Sequence, residues 1–241
     1  MKVTGTDRTH RMVRLPDTLD EYYRGAAKRF SHIQEMVLEY DAEDTPAEET
    51  GGRLGSDFAL LRAFLADHEG SLFVRLSFPD PSLDTELYFP SYLYGFVEDT
   101  FARAIHHKIE GPGFACRECV GKYELRLREY DGLFRLVGED EFEAGVWMAL
   151  CRLRRPVGLA ESHQKQYEQY LQEQDQQVLA LLAEDPGKAS EALAYLLERT
   201  LLSPQAIEAV LPGLSETRHA QMVAMLLGSR SKHRKRKRFV I

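Results

Sequence analysis

The chain has 241 residues, 44% of them hydrophobic and 29% charged, enough apolar material to build a core without metals or disulfides. No apolar run approaches the roughly 20 residues of a membrane span, and Met1 to Leu15 lacks the apolar segment of a secretory signal, so the expectation is a non-membrane, cytoplasmic protein, nuclear if its source is eukaryotic. The net charge of −7 is uneven: residues 229–241, SRSKHRKRKRFVI, hold seven of the 31 Lys and Arg and no acid, which leaves 24 basic against 38 acidic side chains, or −14, for the rest.

From Asp17 or Thr18 as cap, Leu19, Tyr22, Tyr23, Ala26, Phe30, Ile33, Val37 and Tyr40 recur at three- and four-residue steps, which predicts one long amphipathic helix. Residues 41–53 are acidic, Pro- and Gly-bearing and poor in apolar anchors, a mobile loop. Ser56 is placed to cap a short helix carrying Phe58, Leu61, Phe64 and Leu65, ended by Gly70. SLFVRLSF alternates at the period of a half-buried strand, and Pro79 stops it.

Thr85–Phe89 is a second predicted strand, followed by helical spacing from Phe96 to Ile109 up to the breaker Gly111-Pro112-Gly113. Tyr123, Leu125 and Leu127, the Asp131-Gly132 turn and Leu133–Val137 together predict a hairpin. Glu141–Arg155 fits a helix better than a strand, and Pro156 and Gly158 then break the pattern.

Everything beyond is helical in character: Glu161–Ala183 ended by Pro186-Gly187, Ala189–Leu201, Pro204–Leu214 with Ser203 as cap, and Thr217–Gly228. The predicted fold class is therefore α+β. A mixed helix and antiparallel-strand domain spans 1–156, an all-α helical-hairpin region 160–228, and a disordered basic tail 229–241.

Three cysteines without an export signal are read as reduced thiols. Cys116 and Cys119, in the run Cys-Arg-Glu-Cys-Val-Gly, have the two-residue separation that lets two thiolates share one metal ion. Completing a tetrahedral structural zinc site needs two more donors, for which His107 and Cys151 are the candidates, with His106 and His163 as further donors. On a helix the adjacent His106 and His107 would point about 100° apart. The chain holds no HExxH, GxSxG, GxxxxGK[ST] or GxGxxG pattern, which lowers the expectation of an enzyme. Acids Glu139, Asp140, Glu141 and Glu143 read as solvated, and Tyr88, Phe89, Tyr92, Tyr94, Phe96 and Trp147 as core.

The Cys116–Gly121 motif resembles a zinc knuckle, and the tail resembles a short basic nuclear-localisation signal. Residues 189–228, with AIEAVLPGLSETRHAQMVAMLLGSR at their end, resemble a terminal ankyrin- or HEAT-like helical-hairpin repeat, which implies protein binding. The first functional expectation is thus a non-enzymatic interaction protein whose two regions present a protein-binding surface. The second is a nucleic-acid-associated protein that contacts phosphates through Lys232, Arg234, Lys235, Arg236, Lys237 and Arg238.

Overall fold

The computed structural model describes residues 1–7, 9–25, 30–44, 49–99, 104–214 and 219–238, and the chain divides into two compact units, Met1–His163 and Gln164–Ile241. The class is α+β. In chain order the first unit contains β1 (Lys2–Asp7), β2 (Met12–Arg14), α1 (Leu19–Gly25), β3 (Ile33–Glu39), β4 (Glu49–Thr50), β5 (Arg53–Gly55), α2 (Ala59–Asp67), β6 (Leu72–Ser77) and β7 (Thr85–Phe89). It continues with β8 (Leu93–Asp99), β9 (Ala104–Glu110), α3 (Gly113–Glu118), β10 (Glu124–Arg126), α4 (Leu127–Gly132), α5 (Phe134–Asp140) and α6 (Phe142–Arg154).

Five strands form the central sheet in the order β2-β1-β3-β6-β7, antiparallel except for the β3–β6 pair. Its register lines up Val3 with Leu38 and Leu38 with Leu76, and beside them Met36 with Val74 and Val74 with Leu87, so one face carries two adjacent apolar rows while alternate residues point to the other. β6 shows the strict alternation of buried and half-buried residues that its sequence predicts. On the opposite face Phe73 of β6 meets Tyr88 of β7 and Trp147 of α6, the latter at 5.3 Å between ring centroids.

β7 is an edge strand, and an edge leaves backbone groups without a ladder partner. The Tyr130 hydroxyl of α4 answers this at one residue: it accepts from the Tyr88 N–H at 3.1 Å and donates to the Tyr88 carbonyl. Burial pushes the Tyr130 phenol well above its ordinary pKa, so the hydroxyl keeps the proton it donates.

Four sequence expectations are corrected here. In place of the single long helix predicted, α1 covers Leu19–Gly25, 26–29 lie outside the described residues, and Ile33–Glu39 is the strand β3 in mid-sheet, with Ile33, Met36 and Leu38 buried. Thr18 does cap α1, accepting from the Glu21 N–H at 3.2 Å. The predicted helix through Ile109 is instead the two strands β8 and β9. The predicted hairpin over 123–137 keeps only Glu124–Arg126 as strand, paired with β5, and the rest is α4 and α5. Asp57, not Ser56, serves the start of α2, accepting from the Ala59 N–H at 2.9 Å.

Within residues 41–53, Glu49–Thr50 and Arg53 pair as β4 and β5, while 45–48 lie outside the described residues. α6 occupies the range predicted for it and is buried along most of its length. Asp131 and Arg152 form an ion pair at 2.7 Å with both side chains fully buried, and Arg152 also donates to the carbonyls of Arg155 and Val157. α4, the end of α6 and the chain that leaves α6 are thereby tied together.

The second unit is helical: most of α7 (Glu161–Glu173), then α8 (Asp175–Glu184), α9 (Pro186–Glu198), α10 (Pro204–Val210) and α11 (Ala220–Arg238). The single helix predicted over 161–183 is interrupted at Gln174. Pro186 does not merely end a helix but opens the next as its first residue, with Asp185 accepting from the Gly187 and Lys188 N–H groups. Ser203 caps α10 as expected, accepting from the Ala206 N–H at 3.1 Å. α8 packs on α9 and α10, and α9 on α11, burying Val178, Leu182, Leu193, Leu196, Ile207 and Leu226.

Candidate functional site

The polypeptide leaves the body of the first unit at Pro90 and returns at Gly111–Gly113. Between these points β8 and β9 form an antiparallel ribbon in which Leu93 faces Glu110, Tyr94 faces Ile109 and Phe96 faces His107. Among the described residues the two strands pair with each other and with no third strand. Near the root, Leu93, Tyr94 and Ile109 are 67%, 41% and 41% exposed, large apolar side chains on a narrow two-stranded support.

The root is built around Arg117 of α3, which is buried. Its Nε donates to the His68 carbonyl at 3.0 Å, Nη1 to the carbonyls of Pro90 and of Gly113 (2.9 Å), and Nη2 to the Gly70 carbonyl. The guanidinium also lies over the Tyr92 ring, 4.8 Å from its centroid. A planar fork of donors is the group that can serve several carbonyls at once. Three chain segments, 68–70, 90 and 113, are fastened at this one side chain. Burial lowers the Arg117 pKa to about 10, so it remains cationic at neutral pH.

The crossing is tight as well as bonded. A Cβ at Gly113 would stand 2.1 Å from the Pro90 carbonyl oxygen, and Gly111 adopts φ +91°, a left-handed conformation that glycine enters without strain. The Tyr92 N–H donates to the Glu69 carbonyl at 2.9 Å on the outgoing side.

Beside this collar sits His68, also buried, its Nδ1 3.1 Å from the Gly70 carbonyl and its Nε2 2.8 Å from the Ile33 carbonyl. Burial first, and the Arg117 charge with it, hold the ring below its ordinary pKa of 6.5 against the opposing pull of the two carbonyls. A base depressed in the folded state binds fewer protons than the unfolded chain as pH falls below 6.5, so its contribution to stability is intact at pH 7 and is lost on acidification. The urea midpoint should therefore fall between pH 7 and pH 5, and His68→Gln should flatten that part of the profile; an unchanged profile in the variant would assign the acid sensitivity to other groups.

The residues singled out in the sequence are distributed as follows. Cys116 and Cys119 lie on α3 and at its C-terminal cap, both buried, and burial pushes their thiols up to about 12 and about 11. Such thiols are neutral near pH 7 and pack as small apolar groups. Cys151 is buried on α6, and burial raises its thiol as well. His107 stands on β9, not on a helix as predicted, and so does His106, in adjacent positions of one strand. Among the described residues no three His, Cys, Asp or Glu side chains gather into a metal-sized group.

Tyr88, Phe89, Tyr92 and Trp147 are core residues. Glu139, Asp140, Glu141 and Glu143 are exposed; partial burial, with Glu143 and Asp140 nearby, raises the Glu141 pKa. Lys232 and Arg234 to Arg238 follow one another along the last turns of α11, whose helical backbone reaches Arg238. A cleft of about 300 Å³ lies at the starts of α1 and α2, but Thr18 and Asp57 on its wall already accept from the Glu21 and Ala59 N–H groups.

Sequence reading missed Arg117 and the ribbon it anchors. The signal was inside the Cys-Arg-Glu-Cys motif, where Arg117 donates to four carbonyls and the thiols add only a weak Cys119 contact to the Ala115 carbonyl. No family model, curated protein or solved structure matches the chain.

Proposed function

We propose that this chain is a non-enzymatic protein-binding protein, and that a partner polypeptide adds to it at the β8–β9 ribbon. The observation that carries the reading is the exposure of Leu93, Tyr94 and Ile109 on a ribbon rooted rigidly at Arg117. A two-stranded sheet is marginal in water by itself, and strand addition is a common way for an extended polypeptide to join one. Exposed apolar side chains on such a ribbon supply pockets and contact area that backbone pairing lacks.

The test is a photo-crosslinking phenylalanine analogue placed singly at Tyr94 or Ile109 in the full chain, with the more exposed Tyr123 and Leu136 as controls. In cells producing the protein, the two ribbon positions should yield adducts with a polypeptide and the controls should not. Equal labelling at all four positions, or none at the ribbon, would remove the support for this reading.

A further inference from the structure

We infer that the C-terminal end of α11 is a binding site for duplex DNA, engaging the phosphate backbone without regard to base sequence. The inference does not depend on the ribbon and adds a second kind of partner to the reading above. α11 is packed where it is apolar: Met222 and Leu226 are buried, and the helix lies on α9. After Leu227, which is 48% exposed, the sequence GSRSKHRKRKR supplies no apolar side chain, yet the backbone stays helical to Arg238.

The stretch 230–238 carries Arg230, Lys232, Arg234, Lys235, Arg236, Lys237 and Arg238, and no Asp or Glu occurs anywhere in 217–241. At 1.5 Å of rise per residue these cations occupy about 12 Å of helix axis, roughly one charge per 2 Å. Duplex DNA presents one negative charge per about 1.7 Å of its own axis, so the two linear charge densities match. At about 100° per residue the cationic positions fall all round the helix. Arg230 and Arg234, Lys232 and Arg236, and Arg234 and Arg238 stand at the four-residue step at which like charges destabilise a helix. A polyanion alongside replaces that repulsion with attraction.

Other anionic partners fit less well. A helix that lies on a membrane needs an apolar face, which 228–238 does not contain. Single-strand sites stack bases on aromatic rings, and 228–238 holds none. An acidic polypeptide, the acidic remainder of this chain included, lacks the condensed counterions whose release drives cations onto nucleic acid. Between duplexes, an α-helix about 10–12 Å across suits the major groove of B-form DNA, about 12 Å wide, whereas the major groove of duplex RNA is deep and narrow.

The experiment is fluorescence anisotropy of a labelled DNA duplex titrated with the full chain at a series of salt concentrations. The logarithm of the binding constant should fall against the logarithm of salt with a slope of about −4 to −6, at about 0.9 per phosphate neutralised, and should do so for duplexes of unrelated sequence. Lys235→Gln, Arg236→Gln and Lys237→Gln together should make the slope shallower by about 3 and weaken binding about tenfold or more at low salt. Glutamine keeps helix propensity near that of Lys and Arg. A matched control, Arg14→Gln with Arg24→Gln and Arg135→Gln, removes three exposed cations elsewhere and should leave the slope near the wild-type value; equal thermal midpoints would certify both triple variants as folded.

Absence of binding at low salt overturns the inference. Equal losses in the two triple variants overturn it too, by assigning the affinity to net charge instead of to the helix. Single-stranded DNA or duplex RNA bound as tightly as duplex DNA, or polyglutamate competing as well at equal charge, would reject duplex DNA as the occupant. None of these results touches the crosslinking test of the ribbon.

Discussion

Replacing Arg117 with leucine should lower the free energy of unfolding by about 3–5 kcal/mol, a large part of the 5–15 kcal/mol that typical domains possess. The substitution keeps apolar volume but leaves the carbonyls of His68, Gly70, Pro90 and Gly113 without the donor that now serves them, and a buried polar group deprived of its partner costs about 1–3 kcal/mol. Arg117→Lys should recover little of the loss, because one ammonium cannot reach four carbonyls spread around a planar fork. Urea denaturation gives the magnitude. Amide exchange gives the location: β8 and β9 should lose protection first, since their root is what the side chain fastens. An Arg117→Lys protein as stable as the wild type would show that charge, not fork geometry, holds the crossing.

Asp131→Ala should be comparably damaging, at about 3–5 kcal/mol. It strands the Arg152 guanidinium, fully buried and bonded at Nε and Nη2 to that carboxylate, in surroundings that cannot solvate it. The pair itself is a poor source of net stability, since desolvating both ions offsets much of their attraction. Exchanging both partners, Asp131→Leu with Arg152→Met, should therefore be far milder than the single change. Chemical denaturation of the two singles and the double closes the cycle; a double variant as unstable as Asp131→Ala would mean that the carbonyls of Arg155 and Val157, which Arg152 also serves, carry the greater share.

Where one period dominated, the fold was readable. β6 alternates buried and half-buried residues without interruption, and Ser203-Pro204 marks a helix start by two independent devices. Where two periods coexisted, propensity could not choose. Ile33, Val37 and Tyr40 satisfy a helical step, yet Ile33, Met36 and Leu38 are the buried set, and β-branched residues in mid-sheet find neighbours on both sides that a lone helix would not supply. Tyr130, Phe134 and Val137 also fit helical spacing, but Asp131-Gly132 between strand-like runs mimicked a hairpin turn; the aspartate is instead committed to Arg152.

The candidate surface was less legible than the fold. Phe96, Val97, Ile105 and Ile109 are apolar at helical spacing, Val97, Ile105 and Ile109 fit alternation as well, and pairing between two segments is a fact that periodicity within one segment does not encode. Arg117 escaped notice because a charged residue is ordinarily a surface residue. Its buried role follows from three segments separated in sequence by up to 49 residues arriving at one point, which no local pattern announces.

The closeness of Gly113 to Pro90 bears on how this protein can change over generations. Because outgoing and returning chains close on each other where they cross, the socket is fixed at Pro90 and Gly113, at the foot of the two strands and not along them. Substitutions along β8 and β9 are thus open to drift, while Gly113 in the socket admits no larger residue without moving the Pro90 carbonyl.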